Sequence, residues 1–525
     1  MATVEHLGNP RPTLEVTWEF RRHLKWCLAA VIVGLYLLSI SPCWYPTPDS
    51  AVYLMLGKNL AQGEGYVLWG HPHVQFPPGF PALVALMTWW GLGSVACLNT
   101  AMVLMALATL WLCYQALLEL CPKRLALVVT LVLASSHVFH LASVRLLSDL
   151  PYMLLVWVAM VCYLRGLRRE GYWLELGTAA LLVGCWFRVA GVVLAGAAAV
   201  GLLLQPRWIP ARRVWLNAAV LLAGAALTLA GFHAYCQATV VVEPGALPNY
   251  GDSVAAMGAR SSWQWLVKPL GNIYLTSRGL AQVLTGQSHE DVGWPMVLCW
   301  LPVIWGMGMS LRRRQWLGVM IVLGYCGSVV LLCPLIPRYM LPVAPLLFLY
   351  FCEGMSWPLE WFCRSRRYAP AVALFWAAVL LVVNVPKMAQ FVYEVHQPGF
   401  ATSQTREQPL ARTARFLRDR AAPGERFVGS YNDDQLAYLS EVPTLPMARK
   451  GKRSNPYQPA DFQRWLEEGV RFAVLVEGHA PPFLAPVMTP DFLRAQGFRP
   501  IRQFGEYTVY RLADSPDGAG PFGEN

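Results

Sequence analysis

Charge is scarce in this chain. Only 14% of its 525 residues are Asp, Glu, Lys or Arg, against about 25% in an ordinary soluble domain. With 56% hydrophobic residues and a mean hydropathy of +0.39, that shortage excludes a soluble globular enzyme and points to a polytopic α-helical membrane protein. CxxC pairs are lacking too. The 13 cysteines are scattered, mostly inside apolar runs, and none follows Cys363. They read as small core residues, not as a zinc or disulfide framework. Cys43 and Cys333 fall near outer helix ends, but two lone cysteines fix no bridge geometry. There is no HExxH, no DxD, no Walker loop and no GxGxxG at a strand–helix junction, which argues against the usual metal, P-loop and dinucleotide sites. Internal repeats are absent, and only the tail 514–525 is of low complexity and reads as disordered. The net charge of +11 is not a nucleic-acid footprint, because the arginines stand in short clusters between apolar runs.

What is present is a series of apolar runs. About eleven spans are expected, each of roughly 20 residues or fewer if broken: 24–41, 94–118, 125–144, 150–165, 173–187, 189–204, 214–236, 293–311, 316–332, 339–357 and 370–386. Residues 1–25 are polar and end in Arg21, Arg22 and Lys25, so Trp26–Ile40 reads as a signal anchor. Basic residues follow every even-numbered span: Lys123 and Arg124; Arg165, Arg168 and Arg169; Arg207, Arg212 and Arg213; Arg312, Arg313 and Arg314; Arg364, Arg366 and Arg367. That parity places the N-terminus in the cytoplasm and the C-terminus outside. Arg188, in "CWFRVAGV", is costly in lipid. It predicts two short helices meeting at a break near the outer face. The expected organisation is a transmembrane region over 26–386 with outer loops 42–93 and 237–291, then an exoplasmic region over 387–513. There "ERFVGSY" (425–431), "RFAVLVEG" (471–478) and "EYTVYRL" (506–512) read as strands, with helices between them, as in a small α/β domain.

Few side chains on the outer side bear chemistry. Asp49 opens the helical pattern "PDSAVYLMLGKNLAQG". It is either a first-turn carboxylate favoured by the helix dipole or a base. Asp149, in "RLLSDLPYMLL", opens span four at the same face, where Ser148 or Asp149 would serve as a cap. Membrane-edge acids are functional candidates by default. The cations on that side are Lys58, Arg145, Arg188 and Arg338, the last beside Tyr339 in "IPRYMLPVAPLL". A guanidinium fork suits a phosphate, while an Arg–Tyr pair also suits a plain interfacial anchor. His71 with His73, and His137 with His140, form pairs without further ligands, too thin for a metal site.

Taken in order, "PDSAVYLMLGKNLAQGEGY", "VQFPPGFPALVALM", "SSHVFHLASVRLLSDLPYMLL", "CWFRVAG" and "IPRYMLPVAPLL" resemble the GT-C glycosyltransferases. The likeness is to the family 39-like branch, with its protein O-mannosyltransferases and lipid A aminoarabinose transferases. It covers roughly residues 26–386. It implies transfer of a sugar from a polyprenyl-phosphate-linked donor to a lipid, glycan or protein acceptor at the outer face of a bacterial inner membrane, with inversion and without a cofactor or divalent metal. Carried over, Asp49 matches the catalytic aspartate of the first outer loop, Asp149 the acidic position ahead of the fourth helix, and Arg338 with Tyr339 the basic–aromatic pair near the donor phosphate. Arg188, Arg145 and Lys58 are further candidates for that phosphate. Ser50 stands where a protein O-mannosyltransferase would carry the second acid of an Asp-Glu pair. A flippase or transporter of lipid-linked intermediates, or an inactive relative, is the alternative to an enzyme.

Overall fold

The computed structural model describes residues 27, 29–42, 44–45, 47–68, 71–169, 171–206, 209–239, 262–285, 298–332, 337–363, 369–395, 409–430, 433–444, 459–477 and 487–513. Residues 1–26, Cys43, Cys333, Arg207, Arg364, Arg366, Arg367, residues 240–261 and 286–291 of the second loop, and the tail 514–525 lie outside them.

The first part of the chain is helical: α1 (Ala29–Leu38), α2 (Pro48–Ala61), a small hairpin β1 (Val67–Leu68) and β2 (His71–Pro72), α3 (Gly79–Trp89), α4 (Val95–Leu120), α5 (Lys123–Ser135), α6 (His137–Val144), α7 (Asp149–Gly166), α8 (Trp173–Phe187), α9 (Ala190–Leu204), α10 (Ala211–Thr239), α11 (Ser262–Thr285), α12 (Trp300–Arg312), α13 (Trp316–Leu332), a 3-10 turn (Pro337–Val343), α14 (Ala344–Cys363) and α15 (Ala369–Val395). The last part is mixed: α16 (Pro409–Arg420), β3 (Arg426–Gly429), α17 (Asp433–Ser440), α18 (Pro459–Glu467), β4 (Val470–Val476), α19 (Pro490–Ala495), β5 (Phe498–Phe504) and β6 (Tyr507–Leu512).

This is a multi-pass membrane protein. Among the described residues five helices are long and apolar enough to cross, six if α5 and α6 form one broken span, and further apolar helices are shorter. The segment Arg338–Trp357 is 89% buried inside the protein, whereas α10 and α15 are 28% buried over their most apolar windows. The first is central and the others turn large apolar side chains such as Leu227 and Val382 outward, as lipid-facing helices do. Small residues bring α12 and α14 together. A Cβ on Gly354 would fall 1.8 Å from the Pro302 carbonyl oxygen, and one on Gly306 would fall 2.0 Å from that of Tyr350, the close approach that membrane helices use in place of a hydrophobic drive. Gly354→Ala is therefore expected to cost about 1–3 kcal/mol by overpacking. Gly308→Ala, with nothing within 4 Å of the added carbon, is the neutral control. Melting of both variants in detergent checks the pair.

Three expectations need correction. The run 125–144 is not one helix: it bends by 57° at Ser136, where the Ser135 hydroxyl donates back to the Val132 carbonyl, in competition with the helix, and that of Ser136 donates to the distant Val283 carbonyl. The stretch 237–291, expected as an outer loop, holds the 24-residue helix α11. The last apolar helix continues past residue 386 to Val395, with Pro386 inside it. The break at Arg188 is present: its backbone is extended (φ −148°, ψ 133°) between α8 and α9.

In the last part, β3-β4-β6-β5 form one sheet. β3 lies parallel to β4, and β6 is antiparallel to both β4 and β5. Strand β5 escapes sequence reading because Pro500, Arg499 and Arg502 break the apolar alternation. Proline is tolerated there because β5 is an edge with a register shift between Pro500 and Arg502. The sheet's unit sits on α2. Tyr438 of α17 meets the Trp44 ring edge-on at 4.7 Å, and Lys58 in the last turn of α2 pairs with Glu441 at 3.0 Å.

Candidate active site at one end of the bundle

The first turn of α2 is fixed without help from Asp49. Thr47 is the N-cap. Its hydroxyl accepts the Ser50 N–H at 3.1 Å, and the Thr47 N–H donates to the Ser50 hydroxyl at 3.0 Å, a reciprocal capping box entered through Pro48. The Trp44 indole N–H donates to the same Ser50 hydroxyl at 3.0 Å. Asp49 therefore does not cap the helix, and its carboxylate is left for another partner. Likewise no side chain caps α7: the Ser148 hydroxyl is hydrogen-bonded to the Tyr53 hydroxyl at 3.2 Å, and Asp149 faces two arginines.

These acids meet the arginines in one cluster. Asp49 Oδ2 accepts from Arg338 at 2.5 Å. Asp149 Oδ1 accepts from Arg188, and its other oxygen lies 3.8 Å from Arg338 Nε. Tyr339 is flanked by both cations, with the Arg188 guanidinium 4.7 Å and the Arg338 guanidinium 5.6 Å from the ring centre. Arg338 is held out by the 3-10 turn between Pro337 and Pro342, where the missing proline N–H groups prevent a regular helix. Arg188 is free to turn in because of its extended backbone.

The two carboxylates differ in access. The Asp149 side chain is 4% exposed and that of Asp49 is 32% exposed. Asp149 thus anchors two guanidiniums from below, and Asp49 is the carboxylate that a second molecule can reach. The Nε of Arg338 is buried without a hydrogen-bond partner. Formal charges of two aspartates and two arginines cancel.

Two sequence candidates stand apart. Arg145 donates to the Tyr45 hydroxyl at 3.1 Å and lies over its ring. Lys58 is exposed in its pair with Glu441. Two further residues escaped the sequence reading. Tyr53 lies one turn after Asp49 on α2, a spacing that puts it on the same face. Tyr438 comes from a distant segment, and nothing local marks it.

Two of these histidines are accounted for by packing. His140 Nε2 is bonded to the Ser39 hydroxyl at 2.7 Å. His73 Nε2 accepts the Phe76 N–H at 3.2 Å, and burial lowers its pKa to about 4. Among the described residues no three His, Cys, Asp or Glu side chains gather in one place. The unfolded chain takes up a proton on this imidazole below about pH 6.5, while the folded chain refuses it until about pH 4. Stability is thus retained above that window and lost as pH falls through it, by up to about 3 kcal/mol. Melting between pH 7 and 4.5 is expected to show this slope, and His73→Gln to flatten it.

The described basic exits after α7 and α12 lie at the other end of the bundle. Asp149 opens α7 and Arg165 nearly closes it, about 24 Å away at 1.5 Å per residue. Arg165 bonds Gln115, Arg168 pairs with Glu119, and Gln315 donates to the Leu120 carbonyl.

This architecture has counterparts. ArnT from Cupriavidus metallidurans bound to undecaprenyl phosphate aligns with 95% of this chain and 99% of its own, at a TM-score of 0.59 and 14% identity. Its apo state gives 0.60 and 15% over the same shares. The chain has the GT-C fold. The archaeal oligosaccharyltransferase AglB from Archaeoglobus fulgidus, in complex with an inhibitory peptide and a dolichol-phosphate, aligns with 86% of this chain and 69% of its own, at 0.53 and 11%. No family model and no curated protein matches the chain. At these identities the shared GT-C fold speaks for architecture, and the chemistry has to be argued from the cluster.

Proposed function

We propose that the chain is an inverting glycosyltransferase that moves a sugar from a polyprenyl-phosphate-linked donor to a lipid, glycan or protein acceptor at the outer face of the cell membrane. The observation that carries this is the joining of one reachable carboxylate, Asp49, to a guanidinium shared with a buried carboxylate, on a GT-C scaffold. A phosphodiester donor leaves as a phosphate anion. It needs cations and no proton donor, while the acceptor hydroxyl needs one base. Asp49 takes the acceptor proton. The acceptor oxygen bonds to the anomeric carbon as the bond to the phosphate oxygen breaks, and its electron pair goes to the phosphate. Arg338 and Arg188 hold that phosphate, Tyr339 keeps their planes apart, and Asp149 orients both. No metal is required for this balance. Attack from the face opposite the phosphate inverts the carbon.

The described basic exits at the far end of the bundle support a cytoplasmic N-terminus and an exoplasmic site and sheet unit, as in a bacterial inner membrane. The solved neighbours hold undecaprenyl phosphate and dolichol-phosphate, which favours that class of donor. A flippase reading draws on the helix breaks at Ser136 and Arg188. The test is transfer of radiolabelled sugar from a panel of polyprenyl-phosphate sugars into membrane extracts. Label in an acceptor establishes the transferase. Movement of intact donor across vesicles without transfer establishes the flippase.

A further inference from the structure

We infer that the Asp49–Arg338 pair is an exchange latch: the donor phosphate must take Arg338 from Asp49 before Asp49 can act as a base. The inference rests on the transferase reading of this site. Within the cluster the more exposed carboxylate, Asp49, is tied to Arg338 at 2.5 Å, and Asp149 holds Arg188 from below. The four formal charges of the cluster cancel, so a phosphodiester finds no surplus cation among these four side chains. Something must give way, and Asp149 is too buried to do so.

Asp49 is the partner that can leave. It stands at the first turn of a helix whose cap does not use it. Release of Asp49 leaves the Arg338 Nη2 that bonded it as the donor for the incoming oxygen, while the buried Nε stays on the Asp149 side. The reaction then conserves charge locally. When Asp49 takes the acceptor proton, the site rises by one positive charge. At the same moment the phosphate passes from diester to monoester and gains one negative charge. Arg338 follows the charge from carboxylate to phosphate. The order of binding follows: the donor comes first, and the acceptor is activated only on a loaded site. An unloaded site holds its base paired and protects bound acceptor from idle deprotonation.

The experiment is binding of a polyprenyl monophosphate to the full chain in detergent micelles, by displacement of a fluorescent analogue. Asp49→Asn removes the competing anion and is expected to bind the probe roughly tenfold tighter than wild type, within the usual range of coupling between two ligands of one group. In Asp49→Asn/Arg338→Gln the gain is expected to vanish. Asp49→Ala serves as a second variant, and Glu441→Gln, an acid outside the cluster, controls for bulk charge and is expected to change nothing. Equal affinity of wild type and both Asp49 variants overturns the latch and leaves the transferase reading standing. An equal gain in Glu441→Gln also overturns it. Failure of wild type and variants alike to bind, with folded protein, overturns the polyprenyl-phosphate reading itself.

Discussion

Asp49→Asn is expected to lower sugar transfer by roughly 10²–10⁴-fold, the usual worth of a positioned base, while the protein folds and inserts normally. The second half of that statement matters as much as the first. If Asp49 were a helix cap, its loss would act through stability, at about 1 kcal/mol. The structure gives that task to Thr47 and Ser50, so the amide should cost α2 little. Its carboxylate is about a third exposed, so no buried charge is stranded beyond Arg338, which also has Asp149 within 3.8 Å. Transfer and melting temperature are therefore separable in this variant. Steady-state transfer with saturating donor, beside thermal unfolding in the same detergent, checks both. Full transfer in Asp49→Asn would remove the base from the mechanism.

The opposite pattern is expected one layer down. Asp149→Asn leaves Arg188 and Arg338 facing each other with their shared anion gone, and stranding one member of a buried pair costs about 3–5 kcal/mol. The variant is expected to melt early, and transfer should fall with the fraction folded. Replacing both members with apolar residues of similar size, as in Asp149→Leu/Arg188→Met, should recover much of that stability without recovering transfer. A double-mutant cycle on unfolding in detergent measures the coupling. Near-additive costs would mean that the two side chains do not depend on each other, and Asp149 would lose its place as the anchor of the cluster.

How much of this was legible from the residues varies with the origin of each signal. Long apolar runs show directly where apolar helices lie, and the break at Arg188 follows from one charge in a run that lipid would punish. The break at Ser136 is quieter, because two serines cost a membrane helix little until a bend is built there. The four cluster residues were each visible as rare polar groups at helix ends. Their pairing was not, since Asp49 and Arg338 are 289 positions apart and only the packed bundle joins them. Helix α11 was missed because its polar face hides its apolar one. Lys58 and Arg145 stood in the sequence as further phosphate candidates beside Arg338. Three-dimensional packing gives them to Glu441 and Tyr45 instead.

The seating of α17 on α2 reaches beyond stability. Trp44 and Lys58, near the two ends of α2, are both grasped from the sheet unit, through Tyr438 and Glu441, and Trp44 is bonded to the residue next to Asp49. A sheet unit that meets the acceptor is thereby mechanically continuous with the carboxylate that would deprotonate it. Modular exchange is constrained as a result. A graft of this unit onto another GT-C bundle inherits a working base only if the contacts at both ends of α2 travel with it, so recognition and reactivity in this chain are expected to evolve as one piece.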